Sequence, residues 1–252
     1  MKIVIPMAGL GTRLKSNNQN TEKPLIKVND KELIIHSLET LNIDGEFIFI
    51  TRKYENKEHN EELSKILKRF DSKSIEIQID EITNGAAETS LYAKEYINNT
   101  QELIITNCDQ YMSWKSSSFI DLINNENPDG AVVCFKSSDP KNSFAKVQNG
   151  LISEIAEKKA ISENALVGIH YWKEGKTFID SAEMLLANFH TTGSPECYIS
   201  ETYNYLINKN MKVIPYFINS NQYFPLGTQI DIDTFLGKAG EFSKNNPGTI
   251  IC

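Results

Sequence analysis

The chain has 252 residues, of which 40% are apolar and 23% charged, the balance of an ordinary globular protein with a substantial core. Its formal net charge of −7 excludes a general nucleic-acid binder, which needs a basic face to neutralise phosphates, yet leaves room for one nucleotide held by a few local cations. Cys108, Cys134, Cys197 and Cys252 form no CxxC pair, so a zinc or redox motif is not expected and a reducing compartment is.

The N-terminal apolar run is broken by Pro6 and Gly9 and meets Arg13, too short for a secretion signal. No stretch approaches the ~20 apolar residues of a membrane span. A cytoplasmic protein with neither nucleic-acid nor membrane partners is expected, its oligomeric state open.

In chain order, residues 3–5 form a short β-branched run, read as a buried strand. A glycine turn follows over 7–13, then an extended piece over 25–28. Over 31–41, Leu33, Ile34, Leu38 and Leu41 recur at helical spacing. Residues 47–50 read as a second buried strand. A charged helix over 56–70 carries Leu63, Ile66, Leu67 and Phe70 on one face. Ile75, Ile77 and Ile79 alternate as a third strand. The loop Thr83-Asn84-Gly85-Ala86-Ala87 enters a helix whose inner side is read as Leu91, Tyr92 and Tyr96. Residues 103–106 are a fourth strand with Asn107-Cys108-Asp109 at its C-terminal end, and a helix follows around 119–124. This alternation predicts an α/β fold: a Rossmann-like, mostly parallel mixed sheet with helices on both faces.

After Pro128 the texture changes. Strands are predicted over 131–135, 144–147, 151–156 and 166–172, with Asn149-Gly150 as a hairpin turn. Helices over 178–189 and 199–208, a strand over 213–217 and a helix over 231–242 complete the pattern. Residues 244–252 read as a strand or an ordered tail. No repeat or linker interrupts the chain, which predicts one domain over 1–252 with halves at 1–127 and 128–252.

Gly9 and Gly11 lie just past the first strand, where open parallel sheets bind ligands. Glycines let backbone N–H groups approach phosphate oxygens, Arg13 can contact a phosphate through two N–H groups, and Lys23 adds a point charge. A dinucleotide fingerprint is excluded, because Leu14 stands where the third glycine belongs and no acidic residue ends the second strand. A P-loop is excluded by the missing Gly-Lys-Ser/Thr.

Met7-Ala8-Gly9-Leu10-Gly11-Thr12-Arg13-Leu14 followed by Glu22-Lys23-Pro24-Leu25 resembles the signature of the nucleotidyltransferases that make sugar nucleotides from an NTP and a sugar 1-phosphate. Further stretches agree in order: Asn84-Gly85-Ala86-Ala87, Asp109, Glu157-Lys158, Val167-Gly168-Ile169-His170-Tyr171 and Leu226-Gly227-Thr228. The resemblance implies a glycosyltransferase-A-like architecture, with 1–127 binding nucleotide and 128–252 binding the acceptor. It implies that Gly9, Leu10, Gly11, Thr12, Arg13 and Lys23 hold the triphosphate. Met7, Ala8 and Gly9 would touch the nucleoside, and Asn84, Gly85 and Ala86 would read the base. Asp109 would ligate Mg2+, Lys158 would bind the acceptor phosphate, and Glu157, Gly168 and Glu201 would meet the acceptor. Plainer readings stand beside these. Asp109 also reads as a helix cap, Lys158 as a solvated charge beside Lys159, Gly168 as a packing glycine, Ser200-Glu201 as a helix cap, and His170 as a structural histidine.

Pro225 stands where many members carry a second metal-binding aspartate; Asp231 is the nearby candidate. Asn107-Cys108-Asp109-Gln110-Tyr111 and Phe224-Pro225-Leu226-Gly227-Thr228 resemble the capsule-cluster branch of cytidylyltransferases. That likeness implies CTP as donor and L-glutamine phosphate as acceptor. A sugar-1-phosphate uridylyl- or guanylyltransferase and a non-catalytic nucleotide sensor remain alternatives. A glycosyltransferase is disfavoured because Cys108-Asp109-Gln110 lacks the Asp-x-Asp metal motif.

Overall fold

The computed structural model describes residues 1–12, 14 and 21–245, with the side chains of Thr192 and of residues 238–245 left out. Arg13, assigned above to the phosphates, lies outside the described residues, as do 246–252 of the predicted tail.

The strands at the centre are the continuous apolar runs. β1 (Lys2–Met7) pairs in parallel with β4 (Glu46–Arg52) and β6 (Leu103–Thr106), and β4 pairs in parallel with β5 (Ile75–Ile79). All four residues of β6 are buried, as expected of a strand covered on both faces. Beyond β6 the sheet turns mixed. β11 (Asn164–Trp172) runs antiparallel to both β6 and β8 (Gly130–Lys136), and β12 (Val213–Phe217) continues parallel to β8. β9 (Ser143–Gln148) and β10 (Leu151–Glu157) form a hairpin. Its Asn149-Gly150 turn has φ of 51° and 79°, the positive values such turns require. Among the described residues this sheet has nine strands, in the order β10-β9-β11-β6-β1-β4-β5, with β8 also on β11 and β12 on β8.

Helices cover both faces because side chains alternate across each strand. Ile3 and Ile5 of β1 face α1 (Leu33–Leu41), α2 (Lys57–Phe70) and α5 (Ser116–Glu126). Val4, Ile48 and Ile50 face α3 (Ala86–Leu91), α4 (Lys94–Ile97), α6 (Gly175–Thr192) and α7 (Tyr203–Asn208). No helix among the described residues is long and apolar enough to cross a membrane.

Several expectations change. Tyr92 and Tyr96 are exposed rather than inward. The predicted helix breaks at Tyr92 and Ala93, and its inner side is Ala87, Ser90, Ala93 and Ile97, small enough for α3 to lie close on β1. The 199–208 helix is a 3-10 turn (Ile199–Thr202) leading into α7. Residues 25–28 divide into a 3-10 turn, Lys23–Leu25, and a two-residue strand, β2 (Lys27–Val28), paired with β3 (Lys31–Glu32). Two further short strands were not predicted: β7 (Gln110–Met112) and β13 (Tyr223–Pro225), paired antiparallel. α8 (Gln229–Asn245) begins two residues earlier than predicted, because Thr228 and Asp231 cap it reciprocally.

Candidate active site

β1 delivers the chain to the glycine loop. The side chains of Met7 and Ala8 are buried, while Leu10 and Thr12 are exposed. Gly11 has φ +63°, and a Cβ there would lie 3.1 Å from Cβ of Lys23, so this glycine admits the lysine stem. Among the described residues, nothing lies within 4 Å of where a Cβ on Gly9 would be. Lys23 Nζ reaches Asp109 Oδ2 at 2.5 Å, with side-chain exposures of 15% and 19%. Two predicted site residues 86 positions apart therefore meet at the C-terminal ends of β1 and β6.

A second component is the loop 83–87. Asn84 O accepts from Cys197 N at 2.7 Å, and Ala87 N donates to Cys197 O at 3.0 Å. Gly85 sits between them at φ +149°, and a Cβ there would lie 2.6 Å from Cys197 O. Asn84 is exposed, its side-chain amide donating to Glu88 Oε2 at 2.9 Å. Through Cys197 this loop is tied to the segment bearing Glu196, Tyr198 and Ser200.

That segment forms one wall of a cavity of about 570 Å3, within the range of small-molecule sites. Ala86, Asp109, Glu157, Lys158, Gly168 and Asp231 all line it. Gly9, Leu10, Gly11, Thr12, Asn84, Gly85 and Glu201 do not. Glu157 Oε2 accepts from Ser200 Oγ at 2.9 Å and also from Ser143, yet burial raises its carboxyl above the usual carboxylate range. Burial, and then the charge of Glu157, raise Glu201 as well, and its Oε2 is buried with no hydrogen-bond partner among the described residues. Asp231 Oδ2 accepts from Thr228 N at 2.9 Å and Thr228 Oγ1 at 2.7 Å, so the cap of α8 occupies one of its oxygens.

Lys158 has φ +52°. The other non-glycine residues at positive φ, among those described, are all Asn or Asp, which tolerate that region. Its ammonium bonds the Tyr198 hydroxyl, which holds the lysine above the usual range, and its N–H donates to Asn142 O at 3.1 Å. Backbone strain of this kind costs about 1–3 kcal/mol and collects at functional sites. Lys158→Asn is therefore expected to raise stability by up to about 1 kcal/mol while weakening the site. Thermal melts and kinetics of the variant check this, and a lowered Tm would show that the Tyr198 contact outweighs the strain.

Gly168 serves a further contact. Ala165 of β11 pairs with Phe144 of β9, whereas Ile169 onward pairs with β6, so the ladder is interrupted at Gly168. Gln110 fills the interruption: its Oε1 accepts from Gly168 N at 3.1 Å and its Nε2 donates to Gly168 O at 3.2 Å. A Cβ on Gly168 would fall 2.1 Å from the Asn107 amide nitrogen, so the glycine makes room for Asn107 over the strand. Leu226 N donates to Asp109 O at 2.8 Å, docking the C-terminal motif on the same corner. The roles of Gln110 and Asn107 escaped the sequence reading, although Asn107-Cys108-Asp109-Gln110 at a strand end was the available signal.

Among the described residues, no cluster of three or more His, Cys, Asp or Glu side chains is arranged to hold a metal. Asp109 alone at a strand end suits Mg2+, which typically takes one or two carboxylates and completes its shell with phosphate oxygens and water.

Residues 2–221 match the nucleotidyl transferase family, and the chain belongs to it. It is 23% identical over 250 residues to the bifunctional protein GlmU of Thermodesulfovibrio yellowstonii, an alignment covering 92% of this chain and 50% of that protein. It is 22% identical over 165 residues to the mannose-1-phosphate guanylyltransferase catalytic subunit beta of Dictyostelium discoideum, covering 64% and 46%. The chain spans half or less of the length of these curated relatives. The nucleoside-diphosphate-sugar pyrophosphorylase of Vibrio cholerae RC9 superposes with a TM-score of 0.79 at 22% identity, covering 93% of this chain and 99% of that one. The inositol-1-phosphate CTP transferase of T. maritima gives 0.71 at 15% identity, covering 94% and 93%. These likenesses define the fold.

Proposed function

We propose that the protein transfers a nucleoside monophosphate from an NTP to a phosphorylated small molecule and releases pyrophosphate. CTP and L-glutamine phosphate are the preferred pair, which would place the reaction in capsular polysaccharide modification. The observation that carries this reading is the meeting of Lys23 with Asp109 beside a cavity that also holds Lys158. A phosphate monoester has its second pKa near ~6, so the acceptor is a dianion at neutral pH and requires no general base. One of its oxygens attacks the α-phosphorus in line, forming the new P–O bond as the bond to the β-phosphate oxygen breaks. The electron pair leaves with pyrophosphate.

Such a reaction needs positioning and charge neutralisation. Lys23 and Arg13 would stabilise the triphosphate. Lys158 would orient the acceptor phosphate, with Glu157 and Gly168 against its body and Glu201 behind them. Gly9, Leu10, Gly11 and Thr12 would offer backbone N–H groups, while Met7, Ala8, Asn84, Gly85 and Ala86 would flank the nucleoside. Asp109, with Asp231 as a weaker candidate, would hold Mg2+, whose charge offsets that of the phosphates when it is bound. The two halves, 1–127 and 128–252, would work as one domain.

The choice of CTP is supported by the T. maritima CTP transferase and by 49% identity over 45 residues to the choline-phosphate cytidylyltransferase of Streptococcus pneumoniae, covering 18% of this chain and 20% of that one. A sugar 1-phosphate acceptor is the second reading, favoured by the guanylyltransferase relative. Pyrophosphate release, measured with each NTP against a panel of phosphorylated acceptors, tests the proposal. Magnesium-dependent release with CTP and L-glutamine phosphate is expected. Release only with UTP and a sugar 1-phosphate would overturn the cytidylyl assignment. No release with any pair would leave a nucleotide sensor.

A further inference from the structure

His170 lines the cavity and is not used by the mechanism above. It lies in β11 two residues beyond Gly168, on the same face of the sheet. The residue is 6% exposed. Its ring lies beside the stacked pair Trp172 and Tyr203, whose centroids are 4.7 Å apart, with its own centroid 6.1 Å and 5.8 Å from theirs at interplanar angles of 30°. Its Nδ1 is buried with no hydrogen-bond partner among the described residues, which leaves Nε2 as the ring nitrogen available to the cavity. A ligand group in the cavity can pair with Nε2, as donor or acceptor, while Nδ1 stays as it is.

We propose that His170 sets acceptor specificity by hydrogen-bonding, through Nε2, an uncharged hydroxyl or amide group on the body of the phosphorylated acceptor. The inference rests on the function proposed above. Burial lowers the imidazole from its usual range to about 3, so the ring is neutral at physiological pH and offers no charge to the phosphate. A neutral imidazole presents Nε2 either as donor or as acceptor, according to its tautomer. A hydroxyl or carboxamide matches both tautomers. A second anionic group matches only the donor form, and an ammonium only the acceptor form. The phosphate itself is left to Lys158, the other end of the same ligand.

His170→Phe keeps a ring beside the stacked Trp172 and Tyr203 and removes both nitrogens. The expected result is a rise of about tenfold or more in acceptor KM, with NTP KM and kcat within about twofold of wild type. His170→Gln, which can donate and accept, should recover part of that loss. Unchanged acceptor KM in His170→Phe overturns the proposal. Should that variant fail to fold, nitrogen NMR of the histidine side chains in the wild-type protein decides. Glucose 1-phosphate, L-glutamine phosphate and choline phosphate are the probes, and the productive acceptor should shift the Nε2 resonance of His170. No shift overturns the proposal, as does choline phosphate proving the productive acceptor, since its trimethylammonium body forms no hydrogen bond. If none of the three releases pyrophosphate, the functional reading fails by itself. The titration then still reads this inference: an Nε2 shift with glucose 1-phosphate or L-glutamine phosphate supports it, and none with either overturns it.

Discussion

Replacing Lys23 with alanine is expected to slow pyrophosphate release by ~10²-fold or more, the usual cost of removing one fixed group that stabilises charge in a transition state. The difficulty is that Lys23 also pairs with Asp109, and both side chains are less than one-fifth exposed. Loss of rate in the single variant therefore mixes two effects: a missing phosphate contact and an uncompensated carboxylate. A double-mutant cycle with Asp109→Asn separates them. If the pair were only a structural tie, neutralising both partners would restore much of the activity and stability lost by Lys23→Ala. If both groups act on substrate, the double variant recovers stability and stays slow. Arg13→Ala shares the expected rate loss. Wild-type rates in Lys23→Ala would remove the phosphate-cradle assignment altogether.

The geometry gives the pair a definite role before substrate arrives. The ammonium and the carboxylate, which under the proposed function would face phosphates and a metal, are held against each other, so neither sits partly buried without a counter-charge. Under that proposal, substrate binding would exchange partners rather than desolvate free ions. That exchange limits the reorganisation needed at the moment of reaction, the condition under which fixed charges are most effective.

Much of this corner was legible in the sequence because its signals are local. Ile3, Val4 and Ile5 read as a buried strand, and the glycines and Lys23 follow it within one short stretch. Asp109 was legible as a strand-end carboxylate, and Asn149-Gly150 as a turn. What escaped depends on contacts between distant residues. β7 and β13 have three residues each and no alternation to betray them; they exist because Gln110 and Pro225 pair across the fold. A glutamine that hydrogen-bonds both backbone groups of Gly168, 58 residues away, leaves no pattern in its own neighbourhood. Tyr92 and Tyr96 were assigned inward on size and spacing. The close approach of α3 to β1 instead selects Ala87 and Ser90, and the aromatic rings go outward. The positive φ of Lys158 was equally hidden, since lysine has no preference for that region.

Gly85→Ala is expected to destabilise the protein by about 3 kcal/mol, from the combined cost of a strained backbone and an overpacked contact. The clash is with backbone: a Cβ would stand 2.6 Å from Cys197 O and 2.7 Å from Cys197 N, and no rotamer change relieves it. The φ of +149° adds strain for any side chain. Relief requires that the 83–87 loop part from the Cys197 segment, breaking the hydrogen bonds of Asn84 O and Ala87 N. For a chain of this size the loss corresponds to a fall in Tm of roughly 6–12 °C. The kinetic consequence is more telling than the melt. Asn84, Gly85 and Ala86 are proposed to flank the nucleoside, whereas Tyr198 and Ser200, close behind Cys197, line the cavity proposed for the acceptor. On that proposal a single contact joins the two binding regions, and Gly85→Ala should raise KM for both NTP and acceptor. A melt within 2 °C of wild type, roughly the shift of a 1 kcal/mol change, would show that the loop yields without cost. A KM change confined to the NTP would show that the two regions are independent.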